Sequence, residues 1–186
     1  MRWYGFTGAG GRGLYDGAVW PAPSGPEPGA WTVAPPLSPL RGRVRAHRPD
    51  DLPYFLDDAL WVVELDGEVR EEERLISGDR GRLVARVDGW DGACAADFAV
   101  ACEERATGQV ATTPPGAEDD LMRGYLDDLH RCAAGGLPAV AAAGAAGYIG
   151  ARIAAIAAGP ERYAEGAAAE RSEQGRWLVG RLGIEA

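Results

Sequence analysis

An alternating run of arginine and histidine over residues 41–47 is the pattern in this sequence best suited to chemistry. Every second side chain of a strand shares one face, and here that face carries Arg41, Arg43, Arg45 and His47. Arginine forks bind carboxylate and phosphate groups through paired hydrogen bonds. A histidine beside them is suited to exchanging protons near neutral pH. The run therefore predicts either a site for a small anion or a solvated charged surface.

Residues 60–69 form the clearest strand pattern in the chain and supply acids for the same chemistry. The apolar side chains share one face, and the acids share the other, namely Glu64, Asp66 and Glu68. If this strand lies near His47, Glu64 would orient the imidazole or act as a base with a pKa raised by partial burial. If it pairs with the arginine strand, the two form a ladder of cross-strand ion pairs.

These patterns lead to the hypothesis of a small cytoplasmic enzyme that acts by acid–base chemistry on a small anionic or polar metabolite. No metal or organic cofactor is expected, and a lyase, isomerase or cyclase reaction would suit the residues. His47 and Glu64 are the predicted catalytic residues. The residues predicted to bind substrate are Arg43, Arg45, Tyr54 and Trp61. The alternative is a non-catalytic binding or regulatory protein that docks a partner on the same charged face.

Composition excludes several other classes of function. The chain has 186 residues, of which 46% are hydrophobic and 25% charged, as in a soluble globular protein. Its net charge of −9 repels phosphate backbones, so no nucleic-acid partner is expected. All 19 basic side chains are arginine. Without lysine there is no Schiff-base chemistry with pyridoxal phosphate and no P-loop nucleotide site.

Three further motifs favour structural interpretations. The glycine-rich stretch 8–13 is not followed by the helix that a phosphate loop needs, so a hairpin turn is predicted. Cys94 and Cys102 fall on one helical stripe, which indicates buried thiols. Asp127 and His130 are one helical turn apart, but the sequence has no second pair of this kind. A surface ion pair is therefore favoured over a metal site.

The distribution of residue types predicts an α+β fold. Proline and tryptophan concentrate before residue 90 and alanine after it. We predict a single domain, 1–186, in which a twisted, mainly antiparallel sheet from residues 1–90 packs against C-terminal helices. Strands are predicted at 2–6, 30–34, 41–47, 60–69, 74–77 and 82–87, with a helical alternative for the last. A short helix is predicted from residue 49, and longer helices at 92–104, 118–133, 138–158 and 160–183.

Two helix faces are specific enough to be tested. In the second long helix, the residues predicted to face inward are Leu121, Tyr125, Leu129 and Cys132. In the third, Gly144, Gly147 and Gly150 recur every three residues and predict close approach of another backbone.

The most apolar stretch, 137–157, is mostly alanine and glycine and contains Arg152. Alanine and glycine contribute little to membrane insertion, so a buried helix is predicted rather than a membrane span. Its small residues would also suit a homodimer interface. The N-terminal residues lack the apolar run of a signal peptide.

Three stretches resemble a set of small uncharacterised actinobacterial proteins: HRPDDLPYFLDDALWVVELDGEV, RGRLVARVDGW and ERSEQGRWLVGRLG. This resemblance implies no particular activity. The layout is also similar to ADP-ribosyltransferase-like folds, in which a basic or histidine-bearing strand precedes a short helix and an acid-bearing strand. That similarity implies that His47 or Arg45 binds NAD and that a downstream glutamate acts in transfer. The sequence carries no signature triad for it.

Overall fold

The computed structural model describes residues 2–13, 16–36, 42–114, 116, 118–134 and 136–185, so that Arg41 lies outside the described residues. The strands are β1 (Trp3–Thr7), β2 (Val44–Ala46), β3 (Ala59–Asp66), β4 (Arg70–Glu71), β5 (Ile76–Gly78) and β6 (Arg80–Arg86). The α-helices are α1 (Gly92–Thr112), α2 (Asp119–Ala133), α3 (Ala139–Ala157) and α4 (Tyr163–Leu182). Short 3-10 helices are Ala9–Gly11, Pro49–Tyr54 and Pro160–Arg162. The predicted α+β class is confirmed.

The strands form two small antiparallel sheets, with orders β1-β3-β6 and β2-β5-β4. Backbone hydrogen bonds between Tyr4 and His47 link them. The arginine strand β2 therefore pairs with β5 and not with β3. The acids of β3 do form cross-strand ion pairs, but with arginines of β6, because β6 is their neighbour in the sheet.

The β1-β3-β6 sheet has an apolar core on each face, because its side chains alternate between the two faces. On one face, Tyr4 and Leu60 pack with the helices in a core that spans both halves of the chain. On the other face, Val63 and Leu83 pack with Trp20 and the small sheet. The helices thus cover one face of this sheet, as predicted.

Helix α1 begins where predicted, and the Asp91 carboxylate caps it by accepting a hydrogen bond of 2.8 Å from the Cys94 amide. Helix α2 turns most of the predicted face inward, since Leu129 is fully buried and Tyr125 packs against the core, but the prediction for Leu121 is wrong. Its buried residues are Met122 and Leu129, whereas Leu121 is 46% exposed. Met122 and Leu129 are seven residues apart and share a stripe, and Leu121 is rotated from it by about 100°.

Helix α3 lies among the other three α-helices. By length and composition alone, the segment Ala139–Ala158 could cross a membrane, since its mean hydropathy is 1.5. Half of this apolar segment is buried inside the protein. A Cβ on Gly147 would lie 2.9 Å from the Arg171 side chain of α4, and one on Gly150 would lie 3.6 Å from Gln174, while Gly144 faces open space. Two of the three glycines therefore accommodate α4 of the same chain. A homodimer stays a prediction.

The 3-10 helix Pro49–Tyr54 packs directly on the backbone of α4. A Cβ added to Gly175 would lie 2.8 Å from the Asp50 carbonyl oxygen and 3.0 Å from its Cα. Leu52, in the same short helix, is fully buried in the core beneath the helices. This contact fixes the position of the two aromatic residues that follow, Tyr54 and Phe55.

We expect Gly175→Ala to destabilise the protein by about 1–3 kcal/mol, because the added methyl group meets backbone that cannot rotate away. Gly180→Ala is the matched control in the same helix, where nothing lies near the added carbon. It is expected to stabilise by about 0.5–1 kcal/mol through its better helix propensity. Urea unfolding of the three proteins measures both changes. Equal stability of the two variants would contradict the close contact.

Candidate functional site

His47 lies in the protein interior with its side chain stacked on Phe55, the ring centroids being 3.8 Å apart. Only 5% of the residue is exposed. The imidazole hydrogen-bonds the backbone of Arg74, and among the described residues its Nδ1 has no partner. The guanidinium carbon of Arg45 lies 4.5 Å from the centroid of the same Phe55 ring. The structure thus brings two of the predicted site residues together.

Burial controls the ionisation of this cluster. Removal from water lowers the pKa of His47 to about 3, and the positive charge of Arg45 adds to this effect. Burial raises the pKa of Asp16, against the hydrogen bonds that its carboxylate accepts from the amides of Ala18 (2.9 Å) and Arg45 (3.3 Å). His47 is therefore neutral at physiological pH and a much weaker base than catalysis near pH 7 requires.

The space beside His47 is small. Asp16, Arg45, His47 and Phe55 help to line a cavity of about 20 Å³, which we call the His47 cavity. A Cβ on Gly13 would overlap the Asp16 carboxylate, so this position has no room for a side chain. A volume of this size holds about one water molecule. The His47 cavity is too small for a metabolite in this conformation.

Two other predicted site residues lie away from the His47 cavity. Glu64 is exposed on the opposite face of β3 from Val63, and its carboxylate pairs with Arg82 at 2.7 Å. Arg43 pairs with Asp79 at 2.7 Å and hydrogen-bonds the Ser77 hydroxyl at 3.2 Å. The Glu64 pair links β3 to β6, and the Arg43 contacts link the start of β2 to β5 and the residue after it. The structure therefore does not bring Glu64 to His47, and their joint catalytic role stays a prediction.

Trp61 and Tyr54 line two further concave surfaces. The indole of Trp61 donates a hydrogen bond of 3.0 Å to the Thr7 hydroxyl and borders an open depression beside Ala9–Gly11. The glycine-rich stretch there forms a turn, as predicted. Tyr54 lies at the start of a groove between α3 and α4.

This groove has a volume of about 400 Å³ and an unusual lining of three residue types. The lining residues are Arg74, Arg152 and Arg171, Tyr54, Tyr148 and Tyr163, and Ala151, Ala164, Ala167 and Ala168. We call it the Arg–Tyr groove. Helix geometry explains its floor, because α4 positions 163, 164, 167, 168 and 171 recur on one face.

Arg171 is held rigidly at one wall of the Arg–Tyr groove and is only 9% exposed. Its Nη1 donates to the Pro53 carbonyl at 3.0 Å and to the Gln174 side-chain oxygen at 2.9 Å. Its guanidinium carbon lies 4.9 Å from the centroid of the Tyr54 ring, and that of Arg74 lies 4.7 Å from the same ring. Burial lowers the pKa of Arg171, but an arginine stays charged at any physiological pH.

Glu170 is next to Arg171 in sequence, and its charge stabilises Arg171, but its direct ion pair is with Arg105. The Glu170 carboxylate is buried and accepts a hydrogen bond of 3.0 Å from Arg105 of α1. Gln174 donates to the same carboxylate at 3.0 Å and to the Gly147 carbonyl at 3.0 Å. The network therefore pairs Glu170 with Arg105 and leaves Arg171 with neutral acceptors.

Arg152 supplies a second positive charge to the Arg–Tyr groove. It donates a hydrogen bond of 3.0 Å to the Tyr125 hydroxyl, which raises the pKa of Arg152. Its Nε is buried and has no partner among the described residues. Its guanidinium carbon lies 5.7 Å from the centroid of the Tyr163 ring. In the described part of the chain, neither Arg152 nor Arg171 forms an ion pair with a carboxylate, while Arg74 pairs with exposed Glu73 at 3.4 Å.

The described residues contain no group of three or more metal-ligating side chains. Cys94 and Cys102 are buried in the helical core, as predicted. Burial raises the pKa of Cys102 to about 12 and that of Cys94 above its usual value. His130 lies 3.3 Å from Glu103 of α1.

Comparisons with known proteins identify no relative of this chain. No family model matches it, and no curated protein or solved structure matches it either. The two resemblances noted in the sequence stay predictions, and so does NAD binding by His47 or Arg45.

Sequence reasoning missed most of the Arg–Tyr groove, because its residues come from four separate segments of the chain. Two signals were available. Arg152 interrupts the most apolar helix of the protein, four residues after Tyr148. Tyr163 and Arg171 lie on one face of α4 with only alanines between them on that face. Each signal indicates a polar, aromatic stripe on a helix, but neither shows that the stripes meet.

The low pKa of His47 predicts how stability depends on pH. Below pH 6.5 the unfolded chain protonates His47 while the folded protein does not until about pH 3. Stability is therefore lost as pH falls through this window, by about 1.4 kcal/mol per unit from this residue. Between pH 7 and 5, wild type should lose about 2 kcal/mol more than His47→Gln in urea unfolding.

The comparison with His47→Gln isolates this contribution. Asp16 acts with the opposite sign, since its raised pKa lets the folded state bind a proton first, but it is present in both proteins. An identical pH dependence in wild type and variant would show that folded His47 titrates normally.

Proposed function

We propose that this protein binds a small organic anion in the Arg–Tyr groove. The observation that carries the proposal is the pair Arg152 and Arg171, neither of which forms a direct ion pair with a carboxylate among the described residues. Burying an ionised group without a direct counter-charge is unfavourable, and Arg171 is only 9% exposed. An anionic ligand would supply the counter-charge and accept hydrogen bonds from the guanidinium groups.

The size and composition of the groove support the same function. About 400 Å³ lies within the range of natural small-molecule sites. Alanines of α4 provide a low apolar floor, and three phenol rings provide walls with polar tips. Such a mixture of apolar surface with a few fixed polar groups is typical of ligand sites.

The overall charge makes this local concentration of arginine informative. The protein has a net charge of −9, so most of its surface repels anions. A groove lined by three guanidinium groups and no carboxylate provides a local exception, which would focus attraction on one place. The proposed ligand is still an anion, as expected from the sequence. Of the residues predicted to bind it, only Tyr54 lines the Arg–Tyr groove.

Binding has more support than acid–base catalysis by His47 and Glu64. Glu64 is engaged with Arg82, and the His47 cavity admits about one water molecule. The Arg–Tyr groove itself has no carboxylate or imidazole among its lining side chains. Of the acid–base enzyme and the binding or regulatory protein, we therefore propose the second.

We expect Arg152→Gln to weaken binding of an organic anion by about tenfold, because it removes a charged donor. Isothermal titration calorimetry with a panel of carboxylates and phosphates measures the dissociation constants. Arg82→Gln is the matched control: its guanidinium also lies over an aromatic ring, Trp31 at 4.5 Å, but on the surface of β6. It should bind as wild type does.

Two results would contradict the proposal. If no anion in the panel binds wild type at millimolar concentration, the groove is not an anion site. If an anion binds but Arg152→Gln and Arg82→Gln weaken it equally, the effect reflects overall charge and not a built site.

Tyr54 is expected to contribute through its ring and not through its hydroxyl, because Arg74 and Arg171 both lie over the ring. Tyr54→Phe should therefore keep the ligand affinity within about twofold, whereas Tyr54→Leu should weaken it by about fivefold. The same titrations measure both variants, with thermal unfolding as a check on folding. A loss of affinity in Tyr54→Phe as large as in Tyr54→Leu would assign the contribution to the hydroxyl.

A further inference from the structure

We infer that the anion bound in the Arg–Tyr groove is an aromatic carboxylate, a flat arene bearing one or two carboxylate groups. This inference rests on the proposed function and specifies its ligand class. It follows from which hydrogen-bonding groups line the groove, from the flat shape of those groups and from the openness of the floor.

The lining side chains offer many donors and few acceptors. Arginine donates only, alanine does neither, and the sole acceptors among these side chains are the phenol oxygens. A sugar, a polyol, an amine or a nucleobase presents donors that need acceptors such as carboxylates or amides. A carboxylate presents acceptors only, and its two oxygens match the fork of a guanidinium. The lining therefore favours a carboxylate on a body without polar donors.

The shapes of the lining groups favour a planar body. Tyrosine rings and guanidinium groups are flat, and here they already stack on each other. Arg74 and Arg171 lie over Tyr54 at 4.7 and 4.9 Å, and Arg152 lies 5.7 Å from the centre of Tyr163. An arene can extend such stacks, because its face attracts guanidinium groups and its edge attracts other rings.

The floor of the groove argues against a flexible alkyl chain. Ala164, Ala167 and Ala168 form a shallow surface along α4, and Tyr148 at the border is 56% exposed. An acyl tail on this floor would remain partly in water and lose rotational freedom on binding. A rigid arene covers the same alanines without that entropic cost. Inorganic phosphate would satisfy the arginines but leave the alanine floor in water.

The experiment compares two carboxylates with the same carbon skeleton, flat aromatic 2-naphthoate and puckered saturated decahydro-2-naphthoate, with inorganic phosphate as a third probe. Titration calorimetry on the full chain should give 2-naphthoate an affinity about three- to tenfold higher than its saturated counterpart. Tyr148→Leu should reduce that preference. Tyr148 is largely exposed, so this variant is expected to fold like wild type. Arg152→Gln should weaken both carboxylates, and Arg82→Gln neither.

The outcomes separate this inference from the proposed function. If the saturated acid or phosphate binds as tightly as 2-naphthoate, and binding still depends on Arg152, the groove is an anion site but the aromatic class is wrong. If none of the three probes nor any other anion binds, both proposals fall. If the affinity for 2-naphthoate is unchanged in both Tyr148→Leu and Arg152→Gln, the arene binds outside the groove and the inference is overturned.

Discussion

The close contact between the 3-10 helix Pro49–Tyr54 and the backbone of α4 is the constraint on which the rest of the structure depends. It is made where Gly175 meets Asp50 with no room for a side chain. The short helix follows the arginine strand and carries Leu52 into the core that both halves share. Its last residue, Tyr54, then reaches the Arg–Tyr groove, while the next residue, Phe55, lies beneath His47. One backbone contact thus positions both polar regions of the protein.

The buried hydrogen-bond network behind the groove determines which arginine pairs with Glu170. Glu170, Gln174 and Arg105 satisfy one another between α1 and α4, as buried polar groups must. Because Glu170 is committed to Arg105, Arg171 receives only neutral acceptors from the protein. Elsewhere the arginines of β6 pair with acids across the sheet. Arg80 and Arg82 thus have carboxylate partners, whereas the hydrogen bonds of Arg152 and Arg171 in the described part of the chain go to neutral groups.

The sequence predicted which face of a strand is buried better than it predicted which strands pair. The alternation over residues 43–47 correctly places Val44 and Ala46 in the core, because a strand's two faces follow from its period of two. Nothing in that period identifies the strand beside it, and β2 pairs with β5 instead of β3. The helices were predictable from periodicity and the Asp91 cap. The groove was not, because it forms only when distant segments pack, and no local pattern encodes that packing.

The ionisable groups of the two polar regions differ in whether burial can neutralise them. His47 and Asp16 can escape the cost of a buried charge by changing protonation, and their pKa values shift toward the neutral forms. An arginine has no such route, because its pKa stays far above physiological pH even where burial lowers it, as at Arg171. A buried arginine therefore keeps its charge and depends on the groups around it, which for Arg171 are the Pro53 carbonyl and the Gln174 side-chain oxygen. In the described part of the chain no carboxylate forms a direct ion pair with Arg152 or Arg171, and the proposed anion site rests on this observation.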